Sequence, residues 1–142
     1  MLVRLHKYSY TLARRNGTDH IVVGLFLISD GRVLVTFQDG GYSIPKIEIG
    51  NKTLNHAIDI LAREHEIKDL KVEMWIDRVK ETVDERKIHR LNFAVSGKIK
   101  RKEKHRWVSQ DDLPKDMQKT LEKYWKNRYK LLQRMGLGDE NE

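Results

Sequence analysis

The chain has 142 residues, 28 of them lysine or arginine and 21 aspartate or glutamate, with a formal net charge of +7. This length fits one domain with a single core, and the absence of cysteine excludes disulfides, zinc–thiolate sites and thiol nucleophiles. No apolar run approaches the roughly 18 residues that span a bilayer, and the first residues do not resemble a secretory leader. We therefore predict a soluble, cytoplasmic protein with no membrane partner.

The charge pattern bears on the partner. A positive excess favours a polyanion such as a nucleotide, RNA or DNA, and the alternative is an ordinary solvated surface. The high content of lysine, arginine and glutamate is also typical of proteins from thermophiles.

The first part of the chain predicts strands joined by tight turns. The dipeptides Asn16-Gly17 and Asp30-Gly31 are typical of hairpin turns, whose central residues adopt positive φ. Residues 20–28 form a nearly continuous apolar run, which predicts a strand covered on both faces. Residues 33–37 predict the next strand.

A helix is predicted next, from a cap at Asn51 or Thr53 to about Glu66. Its apolar stripe has helical spacing and consists of Leu54, Ala57, Ile58, Leu61 and Ala62. Residues 71–83 and 87–99 then alternate as two strands of a long hairpin around the turn at 84–86.

The C-terminal part predicts a short strand and a last helix. Asp111 or Asp112 can cap this helix, with Pro114 in its first turn and Gly136 at its end. We expect Trp75 and Trp107 to fill the core. The order of elements predicts a single α+β domain over residues 1–142, an α/β/α sandwich with a mixed sheet between helices, and a flexible tail over about 136–142.

Two stretches carry a resemblance to a known family. Residues 22–45, VVGLFLISDGRVLVTFQDGGYSIP, are similar to the opening strands of Nudix (MutT-like) domains, and residues 105–114, HRWVSQDDLP, are similar to a later W-V-x-x-D-E-L-P stretch of that family. The resemblance extends from His20 to the closing helix. It implies a Nudix-like fold, helix carboxylates that bind Mg²⁺ or Mn²⁺ against a diphosphate, and pyrophosphohydrolase activity.

The family signature, G-x5-E-x7-R-E-U-x-E-E-x-G-U with U a bulky aliphatic residue, is altered here. With Ile67 at the last position, Glu64 matches the second glutamate of the E-E pair. Arg63 and Ile60 stand where two other glutamates would be, and Glu66 replaces the glycine. We therefore predict a degenerate Nudix box with Glu64 as its one residual metal-ligand position. No cofactor is expected, except Mg²⁺ if acids elsewhere rebuild the site.

The signature's arginine is replaced by Asp59. Its i, i+4 spacing to Arg63 predicts a simple salt bridge on the helix surface.

Basic and aromatic residues near the altered site could hold a ligand without a metal. Lys46, Lys52 and Arg63 are our candidates for contacting phosphates. Tyr42 is a candidate for stacking on a base, with a core or rim role as the alternative.

Three functions remain open. We predict a catalytically degenerate Nudix-fold protein that binds a nucleotide or RNA as a regulatory module, so no catalytic residue is assigned. The first alternative is a divergent metal-dependent Nudix hydrolase that cleaves nucleoside diphosphate derivatives. The second is a protein-interaction subunit, and since Nudix domains commonly dimerise, the resemblance allows a homodimer.

Overall fold

The computed structural model describes residues 20–38, 40–100, 105–134 and 136. The helices are α1 (Leu54–Glu64) and α2 (Lys115–Arg134), and a 3₁₀ turn covers Gln110–Asp112. The strands are β1 (His20–Ser29), β2 (Arg32–Gln38), β3 (Gly41–Ser43), β4 (Lys46–Glu48), β5 (Ile67–Val83), β6 (Arg86–Ile99) and β7 (His105–Ser109).

The seven strands form one mixed sheet with β1 near its centre. One edge of β1 pairs in parallel with β6, from His20 opposite Ile88 to Leu27 opposite Val95. The other edge pairs antiparallel, first with β4 and then with β2. Beyond these, β5 pairs with β6, while β3 and β7 pair with β2, all antiparallel.

Helices cover both faces of the sheet. Side chains alternate between the faces of a strand, so β1 contributes to two cores. Leu25 of β1 lies in the core that contains Leu61 of α1, whereas Phe26 lies in the core that contains Leu121 of α2. Both faces of β1 are buried, as predicted, and the α+β sandwich is confirmed.

The first helix begins at the cap that its sequence offers. The Thr53 hydroxyl accepts a hydrogen bond from the His56 amide (3.1 Å), so Thr53 and not Asn51 is the cap. The helix ends at Glu64, two residues before the predicted boundary. At the end of α2, Gly136 has φ 71° and its amide donates to the Gln133 carbonyl (3.0 Å), which fits the predicted role of a helix-terminating glycine.

The start of α2 corrects a prediction. Asp111 and Asp112 lie in the 3₁₀ turn and do not cap the helix, which begins only at Lys115, after Pro114. The reason is that a residue before proline is driven out of the helical region, and Leu113 is extended (φ −84°, ψ 157°).

The expectation that Trp75 and Trp107 fill the core was wrong, since 39% and 36% of their surfaces are exposed. Among the described strands, β5 and β7 are edges of the sheet, where fewer neighbours cover a large ring. Trp125 of α2 is similarly exposed, at 40%.

Some predictions lie beyond the described part of the chain. The turn at Asn16-Gly17 and the predicted tail beyond Gly136 are outside it. Within the described residues, no helix is long and apolar enough to cross a membrane.

Candidate functional site

The end of α1 carries Arg63 and Glu64, and both side chains are exposed. Arg63 lines a shallow depression of about 400 Å³ together with Lys68 of β5 and Lys100, which follows β6. The salt bridge expected between Asp59 and Arg63 does not form in the structure. Both side chains are exposed, where the weak attraction between charges in water hardly offsets the entropy lost on ordering them.

A pocket of about 350 Å³ lies between β4 and the neighbouring ends of β5 and β6. Its charged lining consists of Lys46, Glu48, Glu81 and Arg90, on an apolar floor that includes Val22. Glu48 pairs with His20, and the Glu81 carboxylate lies 3.0 Å from Nη1 of Arg90. Both carboxylates are therefore already engaged, whereas Lys46 makes no ion pair with a described residue.

Arg90 has the least exposed charged side chain of this pocket, with only 11% of its surface accessible. Its Nη2 lies 3.9 Å from the Asp116 carboxylate, and its Nε has no hydrogen-bond partner among the described residues. A buried guanidinium with an unused donor is costly unless an acceptor completes its hydrogen bonds. Among the described residues, Lys46 is therefore the available cation of the pocket, and Arg90 is a second cation that Glu81 already engages.

A buried polar row continues from Arg90 across the sheet. Asn92 stands two residues further along β6 and is fully buried, opposite Gly24 on one side and Asp77 on the other. Its Nδ2 donates to the Asp77 carboxylate (2.8 Å), while its Oδ1 has no partner among the described residues. A Cβ on Gly24 would lie only 2.8 Å from that oxygen, so any larger residue there would force the Asn92 side chain to shift.

Arg90 and Asn92 were missed in the sequence. A signal was present: three polar residues interrupt the apolar run of residues 88–95, IHRLNFAV, and two of them, Arg90 and Asn92, have period-two spacing. Side chains two apart lie on the same face of a strand, so the pattern could have predicted a polar site within the sheet.

The other predicted residues lie elsewhere. Tyr42 of β3 is half-buried, packs on the core beneath α2, and lines a separate groove of about 550 Å³ beside β7. Lys52 is exposed in the turn before α1 and lines none of these depressions. The structure thus distributes Tyr42, Lys46 and Arg63 over three depressions and brings no two of them together.

Comparison with solved structures shows what this architecture resembles. A Nudix hydrolase from Nitrosomonas europaea matches with a TM-score of 0.62 and 13% identity, over 77% of this chain and 90% of that one. A UDP-X diphosphatase matches with a TM-score of 0.64 and 11% identity, over 85% and 71% of the two chains. The C. elegans Ap4A hydrolase matches with a TM-score of 0.61 and 13% identity, over 75% and 96%.

The chain has the Nudix fold. No protein-family model and no characterised protein sequence matches it significantly. At identities this low the structural matches establish the fold alone, and the chemistry has to be argued from the residues.

One backbone angle supports the alignment with the Nudix signature. Glu66, placed at the signature's glycine, has φ 53°, in the left-handed region that glycine adopts most readily. The backbone at the end of α1 thus has the conformation that the signature's glycine suits, although the residue itself differs.

The carboxylates of α1 do not fit a magnesium site. The helix has only two acidic residues, Asp59 and Glu64. They are five positions apart, so their side chains project about 140° apart around the helix axis. Ile60 and Arg63 offer no oxygen ligand, and the arginine repels a cation beside Glu64. Across the described residues, no three histidine, aspartate or glutamate side chains converge as metal ligands.

Two histidines join the end of α1 to β7. Nδ1 of His65 lies 2.9 Å from Nε2 of His105, with the rings in an edge-on arrangement. Burial lowers the pKa of His65 below its ordinary value, the His105 imidazole lowers it further, and the Glu64 carboxylate opposes both by raising it. The folded protein therefore favours neutral His65.

Stability should consequently fall as the solution becomes mildly acidic. Because the folded-state pKa of His65 is lowered, the unfolded chain binds the proton first as pH falls through about 6.5. The free energy of unfolding should decrease from there until folded His65 is protonated as well, and then level off. Urea titrations from neutral to mildly acidic pH test this.

A His65→Asn variant should show a flatter pH profile than the parent chain, and His56→Asn, at an exposed position of the same helix, is the matched control. If His65→Asn and the parent chain lose stability in parallel over this range, the predicted linkage is wrong.

Proposed function

We propose that the protein is a nucleotide- or RNA-binding regulatory module on the Nudix fold that does not hydrolyse its ligand. The observation that carries the proposal is Arg90, a nearly buried guanidinium that lines a pocket with Lys46 and keeps an unused donor. Planar guanidinium donors suit phosphate and carboxylate oxygens, and lysine adds a point charge.

The charges of the other depressions support an anionic ligand. Arg63, Lys68 and Lys100 line the depression at the end of α1, and two arginines line the groove beside β7. Cations thus occur at every depression that contains a predicted site residue, which is consistent with the overall excess of positive charge.

The absence of hydrolysis rests on the altered signature. In this interpretation the Nudix box is degenerate, since Arg63 and Ile60 replace oxygen donors and Glu64 alone is a poor ligand set for Mg²⁺. Lys46, which makes no ion pair with a described residue, would neutralise phosphate charge in place of the metal, and Arg90 would do so once its pair with Glu81 opens. The binding site would retain the fold's shape while the metal chemistry is lost.

A divergent hydrolase is the second candidate, and one observation favours it. Glu48 and Glu81 line the same pocket as Lys46, and Mg²⁺ is often held by one or two carboxylates together with phosphate oxygens and water. This function requires both carboxylates to leave their present partners, His20 and Arg90.

A thermal-shift panel separates these functions. Nucleotides, dinucleoside polyphosphates and short RNAs would each be tested with and without Mg²⁺ or Mn²⁺. A ligand at 100 times its Kd stabilises the folded state by about 2.7 kcal/mol, which raises Tm by several degrees. We expect this rise without metal, and its loss in Lys46→Ala and Arg90→Gln but not in Lys71→Ala, an exposed lysine elsewhere on β5.

Other outcomes would overturn the proposal. Stabilisation that requires the metal, with product release abolished by Glu48→Gln or Glu81→Gln, identifies a hydrolase. If no compound in the panel shifts Tm, the ligand-binding function is wrong and a protein-interaction subunit takes its place.

A further inference from the structure

A groove of about 550 Å³ runs beside β7, away from the pocket that contains Arg90. Its lining combines arginines, aromatic rings and small polar groups: Arg32, Tyr42, Arg106, Trp107, Ser109 and Asp112. Trp107 is 36% exposed, and Phe37, which contacts Tyr42 and Arg106, is 52% exposed.

The rings and the guanidinium are held together by the register of three strands. Phe37 of β2 pairs with Tyr42 of β3, and their ring centroids lie 5.6 Å apart, edge to face. Arg106 of β7 pairs with Val35, two residues before Phe37, so both side chains lie on one face of the sheet. The Arg106 guanidinium carbon lies 5.5 Å from the centre of the Phe37 ring.

The arginines of the groove favour a negatively charged ligand, and the exposed rings beside them favour flat groups that stack. Asp112 is the one acidic residue among the described residues of the lining, and its carboxylate accepts a hydrogen bond from the Ser109 hydroxyl (2.9 Å). Arg32 and Arg106 make no ion pair with any described residue. Cations without an ion-pair partner among the described residues therefore lie next to exposed rings on this surface.

A further exposed ring lies near one end of the groove. Trp125 of α2 is 40% exposed, and its indole N–H donates to the side chain of Gln110 (3.2 Å), the residue after Ser109. Exposed rings thus lie beside the groove on both β2 and α2, so a ligand longer than one nucleotide could contact several of them.

We infer that this groove binds single-stranded polynucleotide, with bases stacked on Phe37 and Tyr42 and phosphates against Arg106, since the strand register places these three side chains on one face of the sheet. Positive grooves with aromatic platforms bind single strands because every base has a face that stacks and every linkage has a charge. The inference rests on the proposed function for its ligand class, and it assigns the polymer to a surface distinct from the Arg90 pocket.

Fluorescence anisotropy with labelled ten-nucleotide strands tests the inference, using RNA, DNA of the same sequence, and the corresponding duplex. Phe37→Ala should raise Kd about five-fold or more. Arg106→Gln should reduce the magnitude of the salt-dependence slope by about 0.7, the value for one lost phosphate contact on a single strand. Binding of single-stranded RNA but not DNA identifies the ligand as RNA, whereas binding of both RNA and DNA single strands identifies a site that accepts either polymer.

Matched controls are available on exposed positions elsewhere. Tyr129→Ala removes a ring that is 50% exposed on α2, and Arg86→Gln removes a charge at the β5–β6 hairpin. Both should leave Kd within two-fold. Circular dichroism of each variant shows that the fold is intact.

The outcomes separate this inference from the proposed function. If strands bind the parent chain and the groove variants equally well, the groove does not bind them and this inference is wrong. The same holds if only Lys46→Ala and Arg90→Gln weaken binding, and in that case the Arg90 pocket is the binding site. Duplex that binds more tightly than single strands also overturns it, because paired bases cannot stack on these rings. Polymer binding that needs the groove, with no nucleotide bound at the pocket, supports the groove and refutes the pocket. If neither nucleotides nor strands bind, both proposals are wrong.

Discussion

Phe93→Ala is expected to lower the free energy of unfolding by about 3–5 kcal/mol. Phe93 lies on β6 opposite Leu25 of β1, is 1% exposed, and belongs to the core beneath α1. Removing its ring forfeits the burial of a large apolar surface and leaves a cavity in a closely packed layer. A domain of this size is stable by about 5–15 kcal/mol, so the loss is a large part of the total.

Urea unfolding followed by far-UV circular dichroism measures this effect. The matched control is Phe37→Ala, the same chemical change at a ring that is 52% exposed, which should alter stability by no more than about 0.5 kcal/mol. If the two variants unfold at the same urea concentration, the packing of β6 against α1 is not as described.

Asp77→Ala is expected to cost about 2–4 kcal/mol. Asp77 is 7% exposed, and its carboxylate accepts from Asn92 (2.8 Å) and Lys123 (3.1 Å), with the Thr120 hydroxyl at 3.5 Å. Asn92 is completely buried and its Oδ1 already has no partner among the described residues. Without Asp77, neither the nitrogen nor the oxygen of the Asn92 side-chain amide would have a hydrogen bond. A buried polar group without a hydrogen bond costs about 1–3 kcal/mol.

An Asp77→Asn variant separates the hydrogen bond from the charge. Asparagine keeps an acceptor for Asn92 but loses the attraction to Lys123, whose side chain is 57% exposed. Because exposed partners contribute little, we expect less than half of the alanine penalty in the same urea assay. Equal penalties for the two variants would mean that the ion pair, and not the amide, dominates at this position.

The elements of the fold were largely predictable because they depend on neighbours in the sequence. The apolar stripe from Leu54 to Leu61 has helical spacing, and Thr53 caps the helix through an amide only three residues away. The hairpin turn predicted at 84–86 is present, with Asp84 and Glu85 both at positive φ (50° and 65°). Such patterns are local, so no knowledge of the rest of the chain is required.

Errors occurred where burial depends on distant elements. Trp75 and Trp107 have large apolar rings, and composition alone places them in the core. Whether a ring is covered depends on whether another strand or helix lies beside it, and both residues lie on edge strands. The separation of Tyr42, Lys46 and Arg63, which are close in sequence, has the same origin, since β3 pairs with β2, β4 pairs with β1 and α1 packs on a face of the sheet.

The sequence by itself determined the secondary structure and the α+β class, because these follow from residue type and short-range spacing. Only the tertiary structure decided which charges meet. The parallel pairing of β6 with β1 places Arg90 of β6 in the pocket beside Lys46, and the pairing of β7 with β2 brings Arg106 over Phe37. These contacts join residues about 40 to 70 positions apart, and strand register, which sets them, is a property of the assembled sheet.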